Sequence, residues 1–265
     1  MIYRMIESNT GSNAATHIAI VFDHKSKTFR TKIYPAYKAN RPPAPEDLIP
    51  QFSLIKRATS AFNLSCIEVE GFEADDIIAS YATKARDLGA AVTIVSSDKD
   101  LMQLVGNGIS MYDSMKSRVI NQSEVLEKFG VIPEKVIDVQ ALAGDSVDNI
   151  PGAPGIGVKT AAQLINEYGD LESLLTRANE IKQPKRRQTL IDNVDQIRIS
   201  RELATLKQDV PLPVTFEQLE IQAIKPDVVL KFAHEMEFGS LSRRILEKFN
   251  KNNSNKELNK IIHKQ

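Results

Sequence analysis

Carboxylates recur in this sequence at the points where an apolar run meets a turn. In Glu70-Gly71-Phe72-Glu73-Ala74-Asp75-Asp76-Ile77-Ile78, three acids fall within four residues just ahead of an apolar helical run. Ser96-Ser97-Asp98-Lys99-Asp100 and Gly144-Asp145-Ser146-Val147-Asp148-Asn149 repeat the pattern downstream, and Ile20-Val21-Phe22-Asp23 ends an apolar run in an acid. Like charges this close repel unless a cation neutralises them. Hard divalent cations take oxygen ligands, so the four segments together point to a site for magnesium or manganese. Acids also favour the first turn of a helix through its dipole, which accounts for one or two of them but poorly for four separate segments.

Regular elements must bring those segments together. The runs 17–22, 66–69 and 91–95 read as buried strands, 109–112 and 118–120 as shorter ones, and 46–62 and 74–88 as helices, the second stopped by Gly89. Strands alternating with helices indicate an α/β fold, a parallel sheet flanked by helices, which brings its ligands to the strand ends. The 265 residues, 42% hydrophobic and 26% charged, suit a globular chain of one large or two small domains. Lys+Arg and Asp+Glu both number 34, so net charge neither demands nor excludes a polyanionic partner. Distribution is more informative. Lys25, Lys27, Arg30, Lys32, Lys38 and Arg41 follow one another with no acid between them, interleaved with Tyr34 and Tyr37 and broken by prolines 35, 42, 43 and 45. This reads as a basic, loop-like segment over 24–45 that meets phosphates and stacks on bases, or otherwise as a solvated surface. The single cysteine, Cys66, excludes a disulfide framework and a thiolate metal site and reads as a buried strand residue. No apolar run reaches the length of a membrane span and the first residues lack a signal-peptide core, so a reducing, cytoplasmic compartment is expected.

Beyond Gln122 the pattern turns helical. Segments 123–129 and 133–143 are amphipathic, and the second leads into Asp145 and Asp148, which face the same way if the helical path continues. Gly152-Ala153-Pro154-Gly155-Ile156-Gly157-Val158-Lys159-Thr160 is a glycine-rich turn feeding a helix, an arrangement that presents free N–H groups to an anion. Val158 separates the last glycine from Lys159, which a nucleotide-binding P-loop does not allow. A helix-hairpin-helix turn that grips a phosphate backbone without reading bases fits better; a glycine-rich capping turn with no ligand is the alternative. Residues 188–206 read as one long helix preceded by the basic triplet Lys185-Arg186-Arg187, and 225–236 and 241–249 as final helices. The Asn- and Lys-rich stretch 251–265 reads as a disordered tail.

Taken together, Val21-Phe22-Asp23, Lys27-Thr28-Phe29-Arg30, Tyr37-Lys38-Ala39-Asn40-Arg41-Pro42-Pro43, Glu73-Ala74-Asp75-Asp76, Ser97-Asp98-Lys99-Asp100, Gly144-Asp145 with Asp148-Asn149-Ile150-Pro151-Gly152, and the turn through Lys159-Thr160 resemble the 5′→3′ exonuclease domain of bacterial DNA polymerase I, within the flap endonuclease family. The resemblance runs in family order from about His17 to about Phe249. It implies a PIN-like nuclease core over 1–121 with a basic arch over 24–45, then a helical region over 122–250 carrying a helix-two-turn-helix element at 152–165. It further implies a phosphodiesterase using two magnesium or manganese ions on DNA with a 5′ end or 5′ flap, with potassium held at the 152–165 turn when duplex DNA is present. By the same resemblance Asp23, Glu73, Asp75 and Asp98 surround one metal; Asp98, Asp100 and Asp145 help hold the second; and Asp76 and Asp148 act nearby or through water. Lys38 and Arg41 face the scissile phosphate, Arg30 and Tyr37 steer the 5′ strand, and Gly155, Gly157, Lys159 and Thr160 meet the duplex backbone. A monomer that works beside a separate DNA polymerase is implied as well.

Two features depart from the family pattern. Family members begin with an apolar strand ending in Asp-Gly, whereas this sequence opens at Met1-Ile2-Tyr3, where the family is already in the next helix. It also has no polymerase region. The expectation is a stand-alone nuclease or a piece of a longer protein, with weakened activity and stability as written. A DNA-binding remnant and a PIN-like ribonuclease stay open as rival readings.

Overall fold

The structure is a computed structural model that describes the backbone of residues 2–11 and 14–262, and the side chains of these apart from Ser8 and 251–262. Of the stretch 251–265, read as a disordered tail, the backbone of 251–262 continues the last helix to Ile262, while its side chains and residues 263–265 lie outside the described residues. In chain order the helices are α1 (Ile2–Ser8), α2 (Phe29–Ile33), α3 (Ile49–Ala61), α4 (Ala74–Asp87), α5 (Gln122–Phe129), α6 (Val136–Ala143), α7 (Val158–Tyr168), α8 (Leu171–Thr176), α9 (Pro184–Asp192), α10 (Val194–Ala204), α11 (Pro226–Glu235) and α12 (Gly239–Ile262). The strands are β1 (Ile20–Val21), β2 (Cys66–Ile67), β3 (Val92–Val95), β4 (Ile109–Asp113) and β5 (Arg118–Ile120). The chain divides into two compact units, each assembled from separated stretches, and the division does not follow the expected 121/122 boundary.

The first unit comprises Met1–Val21, Ala44–Ile67 and Pro213–Gln265. In it β1 runs parallel to β2, with Ile20 opposite Cys66 and Val21 opposite Ile67. Tyr3, Phe62, Leu64, Val229 and Ile245 make its core. The apolar run 17–22 was expected to be a buried strand; it yields only a two-residue, half-buried one, because among the described residues β1 has a partner on one side alone. Cys66 is likewise half-buried, its Sγ donating to the Lys56 carbonyl at 3.4 Å. The apolar positions that mark α3, Leu48, Phe52 and Ile55, are exposed; the helix buries Thr59 and Ala61 instead.

The second unit comprises Phe22–Pro43 and Glu68–Leu212. β3 runs parallel to β4, Val92 opposite Ile109 through Val95 opposite Tyr112, and β5 returns antiparallel to β4. Met111, Leu142, Ile165, Leu174 and Ile197 lie in its core, where each fully buried side chain of this size contributes roughly 1.5–3 kcal/mol. α4 carries Asp75 and Asp76 in its first turn and Lys84 and Arg86 in its last, each sign matching the helix dipole.

Two expectations for the helical part are corrected. The stretch 188–206 is two helices, broken at Asn193, whose backbone leaves the helical region (φ −118°, ψ 21°) while its side chain donates to the Thr189 carbonyl at 2.7 Å. α9 starts at Pro184, well suited to a first helical position, so Lys185, Arg186 and Arg187 lie inside its first turns rather than ahead of it. The helical path also does not continue from α6 to Asp148. Gly144 turns out of it at φ +67°, where a Cβ would stand 2.5 Å from the Ile150 carbonyl oxygen. Among the described residues no helix is long and apolar enough to cross a membrane.

Candidate metal centre and nucleic-acid interface

The site is built around the start of α4. The first N–H groups of a helix have no partner within it, and here acids supply them. Asp23 Oδ1 accepts from the Ala74 N–H at 2.8 Å, and Asp76 Oδ2 accepts from the Glu73 N–H at 3.1 Å. Asp76 itself is 0% exposed and faces Arg30, which is 1% exposed. The guanidinium forks onto the carboxylate, Nη1 to Oδ2 at 2.7 Å and Nη2 to Oδ1 at 2.8 Å. Nε and Nη2 also donate to the carbonyls of Leu203 (2.8 Å) and Thr205 (3.1 Å), and the Lys207 N–H donates to Asp76 Oδ1 at 2.9 Å. The sequence reading gave Arg30 to the DNA strand and Asp76 to the metals. The fold gives them to each other, because a planar fork and a carboxylate match in two parallel bonds.

Asp75, the next residue back, has the opposite surroundings. Burial pushes its carboxyl up to about 7, and Asp98, Asp100, Asp23 and Glu73 push in the same direction. Asp98 and Asp100 follow β3 in a loop held by its own side chains: Ser96 Oγ accepts from the Asp98 N–H at 3.1 Å, and Asp98 Oδ1 from the Asp100 N–H at 3.0 Å. Burial and then Asp98 push the Asp100 carboxyl up to about 6, against the Lys99 ammonium and a hydrogen bond from Gln140 Nε2 to Oδ1 at 2.5 Å. These acids crowd one another electrostatically without converging: among the described residues no three His, Cys, Asp or Glu stand in position to hold one metal ion.

Cations border the cluster. Lys38 Nζ lies 2.8 Å from Glu73 Oε1 and 3.8 Å from Asp148 Oδ2, and Arg41 Nη2 lies 2.5 Å from Asp148 Oδ1. Lys38 holds a left-handed backbone (φ +56°), uncommon for a residue with a Cβ, and its N–H donates to the Asp148 carbonyl at 2.9 Å. Tyr37, expected beside the 5′ strand, is buried; its hydroxyl donates to Glu73 Oε2 at 3.0 Å and to Asp148 Oδ2 at 3.3 Å, and burial followed by Glu73 pushes its phenol up. The stretch read as loop-like thus contains a short helix and two buried polar side chains, Arg30 and Tyr37. Asp145 Oδ1 accepts from the N–H groups of Val147 (2.7 Å) and Asp148 (3.2 Å), and its Oδ2 pairs with Lys99. Burial alone would raise the Asp145 carboxyl, yet Lys99 and those N–H groups hold it below the usual range. Sequence reasoning missed Lys99 and Gln140. The position of Lys99 between two candidate acids was a usable signal, whereas nothing in the spacing marked Gln140.

The glycine-rich turn is anchored to α10: the Gly152 N–H donates to Ser200 Oγ at 3.0 Å and its carbonyl accepts from Gln196 Nε2 at 2.7 Å. Gly155 takes φ +76°, Gly157 caps α7, and Lys159 and Thr160 lie in that helix's first turn, Lys159 exposed. Among the described residues these four make no hydrogen bond or ion pair with the acids of the cluster.

Family profiles match the chain in two consecutive parts: a 5′-3′ exonuclease N-terminal resolvase-like domain over residues 1–130, and a 5′-3′ exonuclease C-terminal SAM fold over 131–227. DNA polymerase I of Rhizobium leguminosarum is 59% identical over 88% of the chain, and the thermostable DNA polymerase I of Thermus aquaticus 39% over 84%. The chain spans 23% and 26% of those relatives, about a quarter of their length. Among solved structures, a T5 5′-exonuclease with bound divalent metal ions (zinc) superposes with a TM-score of 0.67 at 25% identity, covering 92% of this chain and 89% of that one. The catalytic core of Rad2 in complex with DNA substrate shares the fold at a TM-score of 0.53 and 17% identity, over 86% of this chain and 78% of that one. With both domain profiles matched in order and the α/β core and helical region in place, the chain belongs to the 5′-3′ exonuclease family of nucleases.

Proposed function

We propose that the chain hydrolyses DNA phosphodiesters at a 5′ end or a 5′ flap, with magnesium or manganese held by the acids around α4. The observation that carries the reading is the surroundings of Asp75, a mostly buried carboxyl with four other acids raising its proton affinity. Carboxyls perturbed in this way cluster at functional sites, and a divalent cation would relieve the crowding. Asp23, Glu73, Asp75 and Asp98 would hold one ion, and Asp98, Asp100 and Asp145 the second. Asp148 acts from one step further out, where Arg41, Tyr37 and Lys38 already meet it. Bound there, the ions would supply a nucleophilic water and neutralise charge on the reacting phosphate.

The protein's own groups do the rest. Lys38 and Arg41 place positive charge at the edge of the acidic cluster, where negative charge grows on the phosphate in the transition state. Tyr37 keeps Glu73 and Asp148 at a fixed spacing through one hydroxyl. The exposed turn with Gly155, Gly157, Lys159 and Thr160 offers N–H groups and a cation to a duplex backbone, contacts that carry no base information, and is the place where potassium would sit. A monomer acting in the cytoplasm beside a DNA polymerase completes the reading. A 5′-flap substrate incubated with the protein in magnesium tests it: cleavage that stops on chelation and returns with magnesium or manganese is expected, and cleavage indifferent to chelation would refute it. A second reading, a DNA-binding member with weak catalysis, draws on the acids' failure to converge among the described residues; binding of the flap with no turnover at any magnesium concentration would favour it.

A further inference from the structure

The Arg30–Asp76 pair has no polar atom left over for a ligand. Both Asp76 oxygens accept twice, Oδ1 from Arg30 and Lys207 and Oδ2 from Arg30 and Glu73, while Arg30 Nε, Nη1 and Nη2 all donate. We infer that Arg30 and Asp76 are positioning residues for Glu73, holding that acid and the start of α4 in place for the metal centre. Glu73 is gripped twice. Its N–H is fixed by Asp76 at 3.1 Å, and its Oε2 lies 3.5 Å from Arg30 Nη1. The grip is braced from the far side, where Arg30 and Asp76 take hold of the end of α10 at Leu203 and of the chain beyond it at Thr205 and Lys207. The inference rests on the reading of Glu73 as a metal-holding residue.

A buried ion pair has an asymmetry that separates this role from the alternatives. Removing one partner strands the other charge in the interior, whereas replacing both by apolar side chains of similar volume is often harmless. A positioning pair acts on Glu73 as one unit: either single variant removes the grip, and the double variant, which lacks it too, should lose no more function than the single ones while regaining stability. A metal-holding Asp76 would show its loss in Asp76→Leu and not in Arg30→Met, and an Arg30 that touches DNA would show it in DNA affinity.

The test compares Arg30→Met, Asp76→Leu, the double variant and Glu73→Gln with the parent. Mn2+ affinity is read by calorimetry well below each melting temperature, and duplex-DNA affinity is read in chelator. Arg30→Met should weaken Mn2+ binding about 10–100-fold, the usual cost of losing a group that orients a metal-holding residue. The double variant should lose no more Mn2+ affinity than Arg30→Met while melting higher than either single one, and DNA affinity should stay near the parent value throughout. Parental Mn2+ affinity in Arg30→Met, or a loss in the double variant equal to the sum of the two single losses, would overturn the inference, as would a loss of DNA affinity in Arg30→Met. If Arg30→Met does not fold, Arg30→Lys, which keeps the charge but not the fork, is read the same way. Weaker Mn2+ binding with unchanged DNA affinity supports the role; the reverse overturns it. Glu73→Gln with parental Mn2+ affinity would show that the metal reading itself fails, whatever the pair does, and would take the positioning role with it.

Discussion

Asp75 and Asp76 are consecutive residues in the first turn of one helix, pointing about 100° apart around its axis, and they meet opposite environments. Asp76 is enclosed by a guanidinium fork and two backbone N–H groups; Asp75 feels the negative charge of four other acids. The first has every acceptor site occupied within the fold. The second burdens the fold and stays available to a cation. Whether a buried carboxylate serves structure or chemistry is therefore decided by what distant segments deliver to it, not by its own position on the helix.

The sharpest way to break this comparison is through Arg30. Arg30→Met should destabilise the protein by roughly 3–5 kcal/mol, the cost of an unpaired charge left in the interior. Denaturant melts check it, and a change below about 1 kcal/mol, the scale of a surface pair, would mean that Asp76 is not stranded. On the other side of the comparison, Asp98→Asn should lower cleavage by about 100-fold or more, at the top of the range seen when even an outlying metal-orienting group is lost. DNA binding should stay largely in place, and near-parental turnover would put Asp98 outside the site. Asp75→Asn turns the contrast into a sign. With divalent ions chelated, at a pH above 7, removing one of several crowded acids should stabilise the protein by roughly 1–3 kcal/mol, although cleavage is lost. A destabilised Asp75→Asn would show that the crowding is compensated in solution. The smallest effect belongs to the turn ahead of α7. Replacing Gly155 and Gly157 by Val should weaken duplex binding by about tenfold, the worth of a charge-assisted hydrogen bond or so, with no sequence preference in the loss. Unchanged affinity across a range of salt would remove this turn from the interface.

The elements that carry the acids were legible because their signals are local. The apolar run ending at Val95, the acids ahead of Ile77 and the glycine stop at Gly89 each sit within a few residues of the feature they specify, and β3, α4 and the Asp98 loop follow them closely. The crowding of Asp23, Glu73, Asp75, Asp98 and Asp100 is not local, Asp23 standing 51 residues from Ala74, and it was expected only because each acid closes or opens an element. The fate of Arg30 was not, since its partners stand 46 and 173 residues further along and no periodicity announces them. Tyr37 was misjudged likewise, its acceptors lying 36 and 111 residues away. The break between α9 and α10 was hidden because Asn193 interrupts an otherwise continuous pattern with a single change of backbone angle.

The reach of Arg30 also sets an order of events during synthesis. Its Nε–H and one Nη2–H cannot find their carbonyls until Leu203 and Thr205 have left the ribosome, so the residues that present Glu73 wait, with these donors unpartnered, for most of the chain to be made. The first unit has the same dependence: its core joins Tyr3 and Phe62 to Val229 and Ile245. Loops this long must close before their contacts stabilise anything, which slows folding and lengthens the exposure of incomplete states. A nascent chain arrested short of residue 207 should therefore be open to proteases at the segment around Arg30, and protection there should arrive late and together with that of α4.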